Sequence, residues 1–205
     1  QLIDANNDQQ IWSERYDRDL DDIFEVQSDV AMEIARALEA ELAPDTRARI
    51  SQRPTQNMQA YDLYLQGRQD SRSLMSTLVQ RGIERLNRAV ELDSQFGAAH
   101  AALAEAHIFS AHWGALRGRE DFEEARYHAE NALQLDNPNA AASVALATVR
   151  GFNDRDWDGA VRDLQMITRT HPNEPEGFFW LGLHLFLMAR FEESAEAQQQ
   201  ALNLD

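Results

Sequence analysis

Three histidines and two groups of aspartates are the side chains of this chain whose types and spacing could do chemistry. His100, His107 and His112 follow one another at intervals of seven and five residues. Two imidazoles share one face of a helix at a spacing of four, so these three read as core or groove side chains and not as a metal centre. Asp17, Asp19, Asp21 and Asp22 have the density of a calcium loop, but Asp22 stands where that loop needs glycine and Ser28 where it needs glutamate. They read as the solvated entry to a helix. Asp154, Asp156 and Asp158 lie in a turn, where a carboxylate caps the helix that follows. Nothing singles out a general acid and base among the carboxylates, and neither a glycine-rich phosphate loop nor a nucleophile elbow occurs. There is no Cys, and all 19 basic residues are Arg, which excludes thiolate and lysine Schiff-base chemistry. The expectation is a chain with no catalytic residue, no cofactor-binding residue, no metal ligand and no cofactor.

Charge narrows the partners. The formal net charge is −16, and residues 1–43 alone carry 12 acidic against 3 basic side chains. Duplex nucleic acid and anionic membranes are repelled by such a surface, since binding them rests on Lys and Arg neutralising phosphates. The acid either keeps the protein dissolved or steers a basic partner. No apolar run approaches the ~18 residues of a membrane span, and no secretory signal pattern opens the chain.

The elements that must position any site announce themselves by repetition. Ala89-Val90-Glu91-Leu92-Asp93, Ala132-Leu133-Gln134-Leu135-Asp136 and Ala201-Leu202-Asn203-Leu204-Asp205 are one phrase, with Ile167 to His171 in matching position; the steps are 43, 35 and 34 residues. A period near 34 is that of stacked helix pairs, in which no pair buries its apolar face alone. The pairs are expected at 57–70 with 75–92, 96–112 with 120–135, 139–152 with 157–170, and 174–188 with 191–204. The long step holds about nine extra residues around His112 to Gly118 with Trp113 among them, either an inter-helix loop or a lengthened first helix.

Residues 1–43 read differently. Gln1 to Asp4 and Gln10 to Tyr16 flank Ala5-Asn6-Asn7-Asp8, the composition of a β-hairpin. A helix follows, capped at Asp21 or Asp22 and striped by Ile23, Val26, Val30, Ile34, Leu38 and Leu42 until Pro44. Residues 44–56 are polar and carry two prolines, a linker. The fold class is therefore mainly α: an antiparallel helix-pair superhelical array over 57–205, after a short β-hairpin and helix.

The paired segments resemble the tetratricopeptide repeat family. The second pair offers His100, Leu103 and Ala104, then Phe122, Ala125, Ala129 and Ala132; the third offers Trp157, Ala160, Leu164 and Ile167 with Pro172 at the turn; the fourth offers Phe178, Leu181 and Gly182, then Phe191, Ser194 and Ala201. The first pair, with Tyr61, Tyr64, Gly82, Leu86 and Ala89, is a looser match, and the third is off by one residue in its first helix. Gln1 to Ala5, Trp12 to Arg18 and Ile23 to Gln27 also look like a segment that precedes such repeats in bacterial signalling proteins, closing a small α/β module similar to the N-terminal domain of TolB. Ala60 to Arg68 is similar to the usual entry into those repeats. Parents of that kind often begin with a class III adenylate cyclase or a winged-helix domain.

The resemblance implies a non-catalytic protein–protein interaction scaffold, the regulatory or sensory region of a larger bacterial signalling protein; the alternative is a fragment of an adenylate cyclase whose catalytic domain lies elsewhere. It also implies that the first helix of each pair lines a concave groove, which puts Glu105, Ile108, Phe109, Val149, Phe152, Asn153, Phe179, Leu183 and Phe186 there. Either these hold a peptide or amphipathic helix, or they pack against a neighbouring pair, the N-terminal segment or a second copy. The expected partner is a protein or peptide, with no nucleic acid and no membrane insertion. The chain begins at Gln1 and stops at a repeat boundary, as a piece of a longer protein would. A missing polar closing helix and an orphan hairpin edge lead to an expected homo-oligomer. A cytoplasmic location is expected, with the periplasm as the other choice.

Overall fold

The computed structural model describes residues 2–4, 9–13, 23–37, 54–73, 75–113, 118–136 and 138–204. The chain divides into two compact units, Gln1–Gln56 and Asn57–Asp205.

In the first unit, strands β1 (Leu2–Asp4) and β2 (Gln9–Trp12) pair antiparallel, with Leu2 opposite Trp12, Ile3 opposite Gln10 and Asp4 opposite Gln9. Helix α1 spans Ile23–Ala37, with Val26, Val30 and Ile34 of the expected stripe half-buried. The turn expected at 5–8, the aspartates from Asp17 to Asp22, Leu38, Leu42, and most of the expected linker lie outside the described residues.

The described residues of the second unit form a helical array of four pairs: α2 (Met58–Ser71) with α3 (Ser76–Leu92), α4 (Gly97–Trp113) with α5 (Gly118–Leu135), α6 (Ala140–Phe152) with α7 (Trp157–Thr170), and α8 (Pro175–Leu187) with α9 (Phe191–Leu204). Local chemistry starts these helices. Asn57, Asn139 and Asp156 accept the amide hydrogen bonds of Ala60, Ala142 and Gly159 at 3.1, 3.0 and 2.9 Å, and Pro175 opens α8. Asn57 also donates to the Leu92 carbonyl at 3.2 Å, so one side chain starts α2 and ends α3. The turns closing the third and fourth pairs hold Arg155 and Ala189 at φ 62° and 59°, left-handed positions filled without glycine.

The recurring phrase has a packing cause. Its leading residues Ala89, Ala132, Ile167 and Ala201 are all buried, each where the second helix of a pair meets its neighbours. A small side chain lets the helices approach, and Leu86, Leu103, Leu164 and Leu185 fill the space beside it. One apolar core runs through the second, third and fourth pairs, from Ala101 to Ala197; two smaller clusters around Leu86 and Phe96 join the first pair to the second.

Much of the extra length of the second pair is helical. Helices α4 and α5 are 17 and 18 residues long, whereas the helices of the third and fourth pairs have 13 or 14. The insertion lengthens both members of the pair, and Trp113 is the last residue of α4. Among the described residues no helix is long and apolar enough to cross a membrane.

Candidate functional site

The first helices of successive pairs meet: α2 touches α4, α4 touches α6, and α6 touches α8. Their shared face is where the sequence pattern puts the groove. Of the nine residues assigned to it, Ile108 and Val149 are corrections. They are 2% and 0% exposed, locked in the common core, so neither lines a surface. The repeat period is right there, but α4 and α6 are each packed among four other helices, so less of their surface is left to face solvent.

Phe109, Phe152 and Phe179 are half-buried and converge on a residue the sequence reading did not assign to the face, Trp180, which is 3% exposed. Phe109, Phe152 and Phe179 present their rings edge-on to Trp180 at 5.8, 6.2 and 5.1 Å. His112, half-buried, packs edge-on against Phe152 and Trp180 at 4.9 and 5.6 Å. Phe152 further stacks on Phe122 at 6.1 Å and meets Trp157 and His184. Four aromatic side chains from α4, α6 and α8 thus form a single edge-to-face cluster. Leu183 is half-buried against the same core. Asn153 donates to Glu123 at 2.9 Å, beside the Arg126–Asp154 ion pair at 2.6 Å, so it fastens the second pair to the third. Phe186 stands apart, 56% exposed and edge-on to Phe191 at 5.6 Å.

Glu105 of α4 holds the polar part of this face. Burial pushes its carboxyl up to about 7, while Arg72 draws it down, Glu176 raises it, Arg68 lowers it and Glu174 raises it. The Arg72 guanidinium lies 4.0 Å away. Arg68 donates to the Tyr64 hydroxyl at 3.1 Å and lies over its ring. Charged groups of α2, α4 and the start of α8 therefore share one electrostatic environment, which the sequence signalled only through Glu105.

A second constellation is buried between α4 and α5. His107 Nδ1 lies 2.9 Å from Asp121 Oδ1, and Ser110 donates to Asp121 Oδ2 at 2.9 Å. His100 Nδ1 and His128 Nδ1 are 2.9 Å apart. Burial holds His128 neutral, its pKa lowered to about 3, with His100 and His107 adding to the effect. Asp121 sits in the first turn of α5, where the helix dipole favours a carboxylate. His100 and His107 are 4% and 8% exposed, in keeping with the core role expected of them. Asp121 and His128 were missed because their partners lie on another helix, beyond the reach of a spacing rule applied along one helix.

No family model matches the chain. The chain is 30% identical over 199 residues to putative adenylate cyclase 3 of Rhizobium meliloti (strain 1021), a match covering 96% of this chain and 28% of that protein. It is 22% identical over 143 residues to the transcriptional regulator HilA of Salmonella typhimurium (strain LT2), covering 70% of this chain and 26% of that protein. The chain thus spans about a quarter of the length of the curated relatives it matches. A solved structure of a MamA mutant is 14% identical, with 90% of this chain and 95% of that one aligned at a TM-score of 0.45.

Proposed function

We propose that residues 57–205 are a protein-interaction scaffold of the tetratricopeptide kind, binding a peptide or amphipathic helix on the face shared by α2, α4, α6 and α8. The observation that carries this reading is the cluster of Phe109, Phe152, Phe179 and Trp180: half-buried phenylalanines from three different first helices, converging on one buried tryptophan. Such rings offer anchoring area at small entropic cost, and Glu105, Glu174 and Glu176 nearby favour a basic residue on the guest. The occupied groove in this reading uses Glu105, Phe109, Phe152, Phe179 and Leu183. Residues 1–43 are then the remnant of a separate α/β module with its hairpin, and 44–56 a linker.

The relatives place similar segments in an adenylate cyclase and a transcriptional regulator, which supports a regulatory role beside an output domain in a larger signalling protein. The test is selection of binding peptides from a display library against the purified chain, followed by Phe109→Ala and Phe179→Ala. The expected result is an aromatic, basic peptide lost from both variants while their circular dichroism is unchanged. Collapse of both variants makes the face internal packing and overturns the proposal. Turnover of ATP by the purified chain with a divalent metal would overturn the non-catalytic reading.

A further inference from the structure

We propose that His107, His128 and Glu124 form a binding site for a borderline divalent cation, of which Zn2+ is the type, between α4 and α5. Each offers one ligand atom, and these atoms all lie within 4.8 Å of one another. Glu124 and His128 are four residues apart on α5 and so share a face; His107 comes across from α4.

The hydrogen bonds around the pair prepare both imidazoles as ligands. Asp121 accepts from His107 Nδ1–H, which leaves the lone pair of His107 on Nε2. Ser110 donates to the other oxygen of Asp121 and fixes its orientation. On the other side, His100 Nδ1 and His128 Nδ1 lie 2.9 Å apart, so one of them carries the proton and donates to the other. With His128 as the donor, its lone pair also stands on Nε2. A carboxylate or carbonyl behind a histidine is the outer support that histidine–metal sites use to orient the ring and raise its basicity. The rings of His107 and His128 are nearly parallel, 8° apart at 6.0 Å between centroids.

Two imidazoles and one carboxylate select a metal such as Zn2+, Co2+ or Ni2+ over Mg2+ or Ca2+, which want oxygen ligands. Tetrahedral Zn2+ holds its ligands at about 2.0–2.1 Å, which sets them roughly 3.3 Å apart. The ligand atoms lie up to 4.8 Å apart, so the site must close by up to about 1.5 Å on binding, and Glu124, an exposed side chain, can move toward the imidazoles by rotamer change. Three protein ligands leave a fourth position for water or for a group carried by a partner.

The test uses the whole chain without a histidine tag, stripped by chelator. It is titrated with Zn2+ by calorimetry and with Co2+ by visible absorption. The expected result is one equivalent bound, with the absorption of tetrahedral Co2+ and no response to Mg2+. Glu124→Gln, on the surface, keeps the fold and weakens Zn2+ at least tenfold; Asp121→Asn weakens it by roughly 10–100-fold, as loss of an outer support does. Glu130→Gln, another exposed carboxylate of α5, leaves affinity unchanged. Zn2+ affinity weaker than about 1 mM, or one-to-one binding that Glu124→Gln does not alter, overturns the proposal. Because Glu124 is exposed, the result stands even where variants of His107 or His128 fail to fold.

Discussion

His184 and Glu105 answer to pH in opposite senses, and both senses follow from burial. His184 is 0% exposed, and its Nδ1 lies 2.8 Å from the Trp180 carbonyl. Its Nε2 has no hydrogen-bond partner among the described groups. Burial lowers its pKa, against the Trp180 carbonyl, which raises it. The unfolded chain takes up this proton near the ordinary value of about 6.5. The folded chain does so only at lower pH, so the unfolded state binds more protons and acid destabilises. The contribution is complete above pH 6.5 and is lost as pH falls toward the folded value. Urea titrations from pH 7 to 5 should show His184→Leu with a shallower acid loss than the parent, by up to one proton. Glu105 runs the other way. Its carboxyl ionises near 4.5 when free and near 7 in the fold. The folded chain holds the extra proton in between, so the stability tied to this group is full below pH 4.5 and falls as pH rises to 7, by about 3 kcal/mol. Glu105→Gln should therefore be more stable than the parent at pH 8 and close to it at pH 4.5, read from the urea midpoint at each pH.

At the scale of the element, each helix pair is fastened across its turn by a different polar device. Asp70 at the end of α2 pairs with Arg81 at 2.7 Å and with Arg85 of α3. In the third pair the signs are exchanged: Arg150 of α6 reaches Asp156 and Asp163, each at 2.6 Å. The second pair uses Asp121 with His107 and Ser110, and the fourth uses Ser194, which donates to the Gly182 carbonyl at 2.8 Å. Three of the four devices use aspartate, but its place in the pair and its partner differ each time, so no sequence motif marks them. The glycines divide by the same geometry. A Cβ on Gly82 would lie 2.6 Å from the Ser71 nitrogen and 2.8 Å from the Gly67 oxygen, backbone atoms that cannot turn aside. Gly82→Ala should lose roughly 1–3 kcal/mol to overpacking, despite the better helix former. At Gly177 the nearest atom is Thr168 Cγ2 at 3.4 Å, an ordinary contact. Gly177→Ala should be neutral or stabilise by up to about 1 kcal/mol. Thermal melts of the two variants side by side check the contrast, and equal destabilisation would refute the close packing of α2 on α3.

For the molecule as a whole, the outer surface of the fourth pair is the place to look for self-association. Phe186, Leu187, Phe191 and Leu202 are 56%, 51%, 59% and 72% exposed. Phe186 and Phe191 meet edge-on at 5.6 Å, and an exposed apolar patch of this kind marks a contact surface. The net charge of −16 opposes assembly at low salt and does so less as salt screens it. The expected outcome is a dimer or larger species by light scattering at tens of micromolar in physiological salt. Phe186→Ser combined with Phe191→Ser should return the monomer, and a monomeric parent under those conditions removes the idea.

Much of the array could be read from the residues alone, because its cause is local and repeated. A small residue at Ala89, Ala132 and Ala201 is needed wherever two helices approach, and Asn57, Asn139 and Asp156 start helices through hydrogen bonds spanning three residues. Periodicity along one helix can find such features. It could not tell that Ile108 and Val149 turn inward while Phe109 and Phe152 reach the surface, since that depends on how many neighbours each first helix has. Nor could it join His107 to Asp121, or His100 to His128, across 14 and 28 residues of chain. The tautomers of those imidazoles, the depressed pKa of His184 and the raised pKa of Glu105 all arise from what neighbouring helices exclude or donate. Composition ruled out thiolate and lysine chemistry; the packing of α4 on α5 alone assembled the histidines and carboxylates into a constellation that could hold a cation.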